Sequence, residues 1–109
     1  MLDNKSLGYN LLVKSYRENP RDVVTVPTTN RSGKYFHVFV QNGVIYVSSH
    51  TDKQPRSVIS TPRFLKPDEY EKMYNLYLRR KKGENVSQEA TATTVNQVYW
   101  YGIFADMGL

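Results

Sequence analysis

The chain has 109 residues, 39% hydrophobic and 23% charged, and its 15 Lys and Arg exceed its 10 Asp and Glu to give a net charge of +5. This composition predicts one globular domain over residues 1–109, since two halves would be too small to bury enough apolar surface. The chain has no cysteine, which excludes disulfides, thiolate zinc sites and cysteine nucleophiles.

The sequence also predicts a cytoplasmic protein with no membrane partner. No apolar run approaches the roughly 20 residues that span a bilayer. The start of the chain, MLDNKSLGYNLLVKSYREN, lacks the charged-then-apolar layout of a secretory signal.

The first predicted element is an amphipathic helix over residues 5–19. Its apolar residues recur at helical spacing, and they include Leu7, Leu11, Leu12 and Tyr16. Asn4 or Ser6 suits the N-cap. Asn19 precedes Pro20 and should end the helix, because a residue before proline disfavours the α conformation.

A β-hairpin over residues 35–50 is the clearest local signal. Two alternating β-rich runs flank Asn42-Gly43, which suits a type I′ turn because both central residues there need positive φ. A two-residue loop fixes the strand register. The expected pairs are Gln41 with Val44, Val40 with Ile45, Phe39 with Tyr46, Val38 with Val47, and His37 with Ser48.

This register separates two faces of the hairpin. One face is apolar and should pack on the core; it carries Phe36, Val38, Val40, Ile45 and Val47. The other face is aromatic and half polar; it carries Tyr35, His37, Phe39, Tyr46, Ser48 and His50. We expect the second face to remain open.

Two further strands are predicted on either side of the hairpin. Residues 22–27 are rich in β-branched side chains and precede a polar loop over 28–33. Residues 57–60 form one more short strand before Thr61-Pro62 interrupts pairing.

The second half of the chain is predicted to be helical. A helix near 67–82 begins with Pro67 and acidic residues and ends with four cations before Gly83, as the helix dipole favours. Residues 87–92 and 95–106 are interpreted as two more helices, the last one buried. The strong β propensity of VNQVYWYGIF leaves a strand open as the alternative for 95–106.

Together these elements predict an α+β fold. A small antiparallel sheet around the central hairpin 35–50 is expected to pack against the N-terminal helix, the helix near 67–82 and a C-terminal helical segment.

The first functional hypothesis is a nucleic-acid-binding module, with DNA or RNA as partner and DNA preferred. Cations would hold phosphates while interleaved aromatics stack on bases. The residues assigned to this surface are Arg79, Arg80, Lys81, Lys82, Arg31, Lys34, Lys53, Arg56, Tyr35 and Tyr46. Cations in a last helical turn also complement the helix dipole, so the run 79–82 has a structural explanation too.

The alternative hypothesis is a small inhibitor or adaptor, of the kind a phage or other mobile element encodes, that engages an acidic protein surface. Edge strands and an open aromatic face also allow a homodimer. Residues 87–106 have a faint helix-turn-helix pattern, but the second helix is too apolar to read bases, which favours a buried helix pair.

An enzyme is the less favoured hypothesis, because no phosphate loop, metalloprotease or serine-hydrolase motif occurs. The enzyme alternative is a small metal-dependent nuclease. Its carboxylates would come from Asp22, Asp52, Glu69 and Glu71. His37 and His50 lie diagonally on the hairpin but lack an evident third ligand, so no metal or other cofactor is predicted.

Overall fold

The structure is a computed structural model that describes residues 4–27 and 32–109, with the side chains of 4–7 left out. The predicted capping side chains of Asn4 and Ser6 therefore lie outside the described part, as does Arg31.

One antiparallel sheet of four strands forms the middle of the fold, in the order β1-β2-β3-β4. The strands are β1 (Arg21–Val24), β2 (Tyr35–Gln41), β3 (Val44–Ser48) and β4 (Arg63–Leu65). The predicted hairpin register is confirmed at all five pairs. Asn42 and Gly43 have φ of 53° and 74°, the positive values that a type I′ turn requires.

The extra strand predicted over 57–60 is wrong, and the fourth strand lies at 63–65 instead. The backbone of residues 57–59 forms hydrogen bonds with the Ser49 hydroxyl instead of with a strand. Ile59 N donates to this hydroxyl at 2.6 Å, and the hydroxyl donates to Ser57 O at 2.9 Å. The strand begins immediately after Pro62, which has no N–H to donate to a ladder.

Four α-helices complete the fold in residues 4–27 and 32–109. They are α1 (Asn4–Glu18), α2 (Tyr70–Lys81), α3 (Ser87–Thr93) and α4 (Gln97–Asp106), and a 3₁₀ turn over Pro67–Glu69 precedes α2. The helical interpretation of 95–106 is confirmed. Residues 99–104 are all buried, as expected of a helix that is enclosed on every side.

The helices pack on the apolar face of the sheet. The sheet side chains at this interface are fully buried, namely Phe36, Val38, Ile45, Val47 and Leu65. Leu12 and Tyr16 from α1, Met73 and Leu76 from α2, and Trp100, Ile103 and Phe104 from α4 fill the same core.

A polar contact joins the ends of three elements. The Tyr16 hydroxyl of α1 donates to Asp106 Oδ2 at 2.7 Å, and Arg21 at the start of β1 lies 2.7 Å from the same oxygen at the end of α4. The Arg21 guanidinium also stacks 4.2 Å from the centre of the Tyr16 ring.

No helix in the described part of the chain is long and apolar enough to cross a bilayer.

Candidate nucleic-acid interface

The face of the sheet opposite the helices carries a line of aromatic side chains. His37 and Phe39 come from β2, Tyr46 from β3 and Phe64 from β4, and we call these four residues the aromatic row. Strand alternation places them on one face, and Tyr46 is the register partner of both Phe39 and Phe64. Within residues 4–27 and 32–109, no helix packs over them.

The rings of the aromatic row contact each other from one side of the sheet to the other. Ring centroids lie 6.1 Å apart for His37 and Phe39, 5.5 Å for Phe39 and Tyr46, and 6.2 Å for Tyr46 and Phe64. The first two pairs are nearly parallel, at 22° and 15°. Phe64 is 47% exposed and the other three rings are half-buried, so the row offers ring surface to a ligand.

A carboxylate and a second histidine lie at the β2 end of the aromatic row. Asp22 of β1 is the register partner of His37, and its Oδ1 lies 3.0 Å from His37 Nδ1. The His50 ring lies edge-on to His37, with centroids 6.4 Å apart, which confirms the predicted proximity of the two histidines. Both Asp22 and His37 are partly exposed, at 22% and 24%.

The pKa of Asp22 is lowered by its surroundings. Burial alone raises it, but hydrogen bonds from His37 and Thr51 and the positive charge of Lys53 outweigh that effect. The carboxylate therefore remains ionised at neutral pH.

Three of the residues assigned from the sequence, Tyr35, Lys53 and Arg56, are gathered at this same end, and a fourth lies on the opposite face. Residues 55–57 run alongside Tyr35, with Tyr35 N donating to Pro55 O and Ser57 N donating to Tyr35 O, both at 2.8 Å. This pairing places Arg56 beside Tyr35, and Lys53 Nζ lies 5.3 Å from the centre of the Tyr35 ring. Lys34 directly precedes Tyr35 along the strand, so its side chain lies on the opposite face, and all three cations are exposed.

A shallow hollow of about 450 Å³ adjoins this end of the sheet. Its lining includes the imidazole of His50, the cation Arg56, and the small polar residues Ser48 and Ser57. The mixture of hydroxyls and an imidazole with the Arg56 guanidinium suits a phosphate group.

The run 79–82 lies elsewhere, at the end of α2 in the helical layer. Arg79 binds Glu89 through two hydrogen bonds of 2.8 Å and also pairs with Glu84. These contacts raise the pKa of Arg79, chiefly through its hydrogen bonds to Glu89 and then Glu84. Its charge is thus compensated by two carboxylates.

The next two cations of the run are also in intramolecular contacts. Arg80 donates to Val26 O at 2.6 Å and lies 4.5 Å from the centre of the Tyr101 ring. Lys81 donates to Leu109 O at 3.1 Å. Lys82 is exposed and makes no side-chain hydrogen bond to the described residues. The structure therefore separates the run 79–82 from the cations beside the aromatic row.

The carboxylates of the nuclease alternative are dispersed. Asp22 pairs with His37, and Glu69 accepts a hydrogen bond of 3.1 Å from Trp100 Nε1. Asp52 and Glu71 are exposed. Among the residues that the structure describes, no group of three His, Asp or Glu side chains is placed to hold a metal ion.

Sequence reasoning missed two members of this surface. Phe64 belongs to a strand that was predicted elsewhere, and Asp22 reaches His37 through a β1–β2 pairing that no short turn fixes.

Comparison with protein-family models, with curated proteins and with solved structures found no match to this chain.

Proposed function

We propose that this protein binds single-stranded nucleic acid across the open face of its sheet. Bases stack on the aromatic row, and Lys53 and Arg56 hold phosphates at its β2 end. The observation that carries the proposal is the line of four neighbouring rings, with two exposed cations beside it.

The aromatic row favours single strands over duplexes. A ring can stack on a base only when the base is unpaired and turned away from its neighbours, as in loops and single strands. Stacking on aromatic side chains is worth about 1–3 kcal/mol per base and tolerates any base. The expected binding is therefore strand-selective but weakly sequence-selective.

The charges near the aromatic row supply the electrostatic part of binding. The chain as a whole carries a net charge of +5, and Lys53 and Arg56 are exposed at the surface. Phosphate contacts by Lys and Arg release counterions, so affinity should fall as salt rises.

Fluorescence anisotropy with a labelled 12-nucleotide strand tests the proposal. The wild type should bind single-stranded DNA and RNA more tightly than the matched duplex. Tyr46→Ala removes the central ring of the row, and we expect it to weaken binding by about 5- to 150-fold, the equivalent of one lost stacking contact. Val95→Ala is the matched control, because Val95 is 78% exposed on the helical side.

Three outcomes would contradict the proposal. The first is equal binding by the wild type and Tyr46→Ala. The second is a stoichiometric acidic protein partner that is captured through the aromatic row and is insensitive to nuclease, which would establish the adaptor alternative. The third is a homodimer that Tyr46→Ala converts to monomer, which would make the row a subunit interface.

A further inference from the structure

The β2 end of the aromatic row holds the only two histidines of the chain. We propose that His37 and His50 cleave RNA there by metal-independent transphosphorylation. This inference rests on the proposed binding of nucleic acid by the same face, and it adds a reaction to it.

Asp22 orients one of the two imidazoles. An ionised carboxylate only accepts hydrogen bonds, so the 3.0 Å contact places the proton of His37 on Nδ1. Nε2 is then the atom that faces a substrate, as in other histidines held by a carboxylate. Asp22 is a positioning residue in this arrangement.

The separation of the two rings suits one phosphate. An in-line displacement at phosphorus needs a proton acceptor at the attacking oxygen and a proton donor at the leaving oxygen, on opposite sides of the phosphorus. The two imidazole centroids are 6.4 Å apart, so one phosphodiester can contact both rings at once, as this reaction requires.

Two cations and an aromatic ring near the histidines can stabilise the reacting phosphate and hold a base. Arg56 lines the same hollow as His50, and Lys53 is close enough to Asp22 to lower the pKa of that carboxyl. Both cations can stabilise the charge that develops on the phosphoryl oxygens. The Phe39 ring is nearly parallel to the His37 ring, with centroids 6.1 Å apart, which places a base-stacking surface next to the reacting group.

The reaction needs no further reactant. The ribose 2′-oxygen attacks the phosphorus and forms a new P–O bond, while neutral His50 takes the 2′-hydroxyl proton. The bond from phosphorus to the 5′-oxygen breaks, and protonated His37, whose charge Asp22 compensates, donates its proton to that oxygen. The products are a 2′,3′-cyclic phosphate and a free 5′-hydroxyl, so DNA is bound but not cut.

A labelled oligoribonucleotide incubated with the full chain in EDTA tests the inference. We expect cleavage that leaves a cyclic phosphate, with the all-deoxy strand intact. His37→Gln and His50→Gln should cut at least about 100-fold more slowly, the usual contribution of a general acid or base. His50→Gln should still bind the all-deoxy strand within about twofold of the wild type, because His50 is not part of the aromatic row. His37→Gln also loses a ring of the row and should bind that strand about 5- to 150-fold more weakly, so circular dichroism shows that it is folded and its cleavage rate is measured at saturating RNA.

Asp22→Asn gives a second readout. A positioning role predicts a lower kcat with an unchanged KM, because the substrate contacts remain while the imidazole is misdirected. A higher KM with an unchanged kcat would contradict that role. His37→Gln and His50→Gln, purified in the same way, are the control for contaminating ribonuclease, and Lys82→Ala is the control for a substitution outside the site and should cut as fast as the wild type.

RNA that is bound but stays intact would overturn the cleavage inference and leave the binding proposal standing. Loss of binding to both RNA and DNA would overturn both. Cleavage that persists in His37→Gln and His50→Gln, or that EDTA abolishes, would also overturn the inference.

Discussion

Tyr9 shows how a single hydroxyl fixes a helix to the sheet. The hydroxyl donates to Leu65 O at 2.6 Å and accepts from Ile45 N at 3.0 Å, so it bridges backbone groups of β4 and β3. Tyr9 is only 2% exposed, and burial is the main reason that its pKa is raised. Water therefore cannot easily replace the hydroxyl if it is removed.

We predict that Tyr9→Phe lowers the free energy of unfolding by about 1–3 kcal/mol, because it leaves a buried N–H and a buried C=O without a partner. Urea denaturation followed by circular dichroism measures this. Tyr74→Phe is the matched control, since Tyr74 is half-buried and its hydroxyl makes no hydrogen bond to the described residues. Equal stability of the two variants would refute the bridging role.

At the scale of elements, the sequence predicts best those features that depend on only a few neighbouring residues. The Asn42-Gly43 turn fixes its own register, so the pairs of β2 with β3 and the two faces of the hairpin followed from the sequence. The pairing of β1 with β2 spans a longer connection, and the backbone of residues 57–59 bonds to the Ser49 hydroxyl instead of forming the expected strand, so Asp22 and Phe64 could not be placed at the site in advance. The identity of α4 was ambiguous because burial, rather than local propensity, decides it.

Gly102 tests how closely α4 approaches the sheet. A Cβ at this position would lie 2.9 Å from Val24 O and 3.1 Å from the Phe36 ring. We predict that Gly102→Ala destabilises the protein by about 1–3 kcal/mol through overpacking, although alanine favours a helix over glycine by about 1 kcal/mol. Thermal unfolding measures the outcome, and a rise in Tm would contradict the close approach.

At the scale of the whole molecule, the cations fall into two groups with different surroundings. Those at the end of α2 are mostly used in internal contacts, of which the pairing of Arg79 with Glu84 and Glu89 is the clearest. Those beside the aromatic row remain exposed. Net charge and composition indicated a basic protein, but only folding determines which cations share a surface with the aromatics.

This division predicts different salt dependences for two single substitutions. Each phosphate contact on a single strand contributes about −0.7 to the slope of log affinity against log salt. Lys53→Ala should flatten the slope by about that amount, whereas Lys82→Ala should leave it unchanged. Anisotropy titrations at several salt concentrations measure both, and the reverse pattern would move the phosphate contacts to the end of α2.

Titration of ¹⁵N-labelled protein with an unlabelled single strand, followed by NMR, shows which residues contact nucleic acid. If the aromatic row is the binding surface, amide shifts should concentrate at residues 35–39, 44–48, 50–57 and 63–65 and spare residues 70–82. Shifts centred on residues 79–82, with the sheet unaffected, would contradict this assignment.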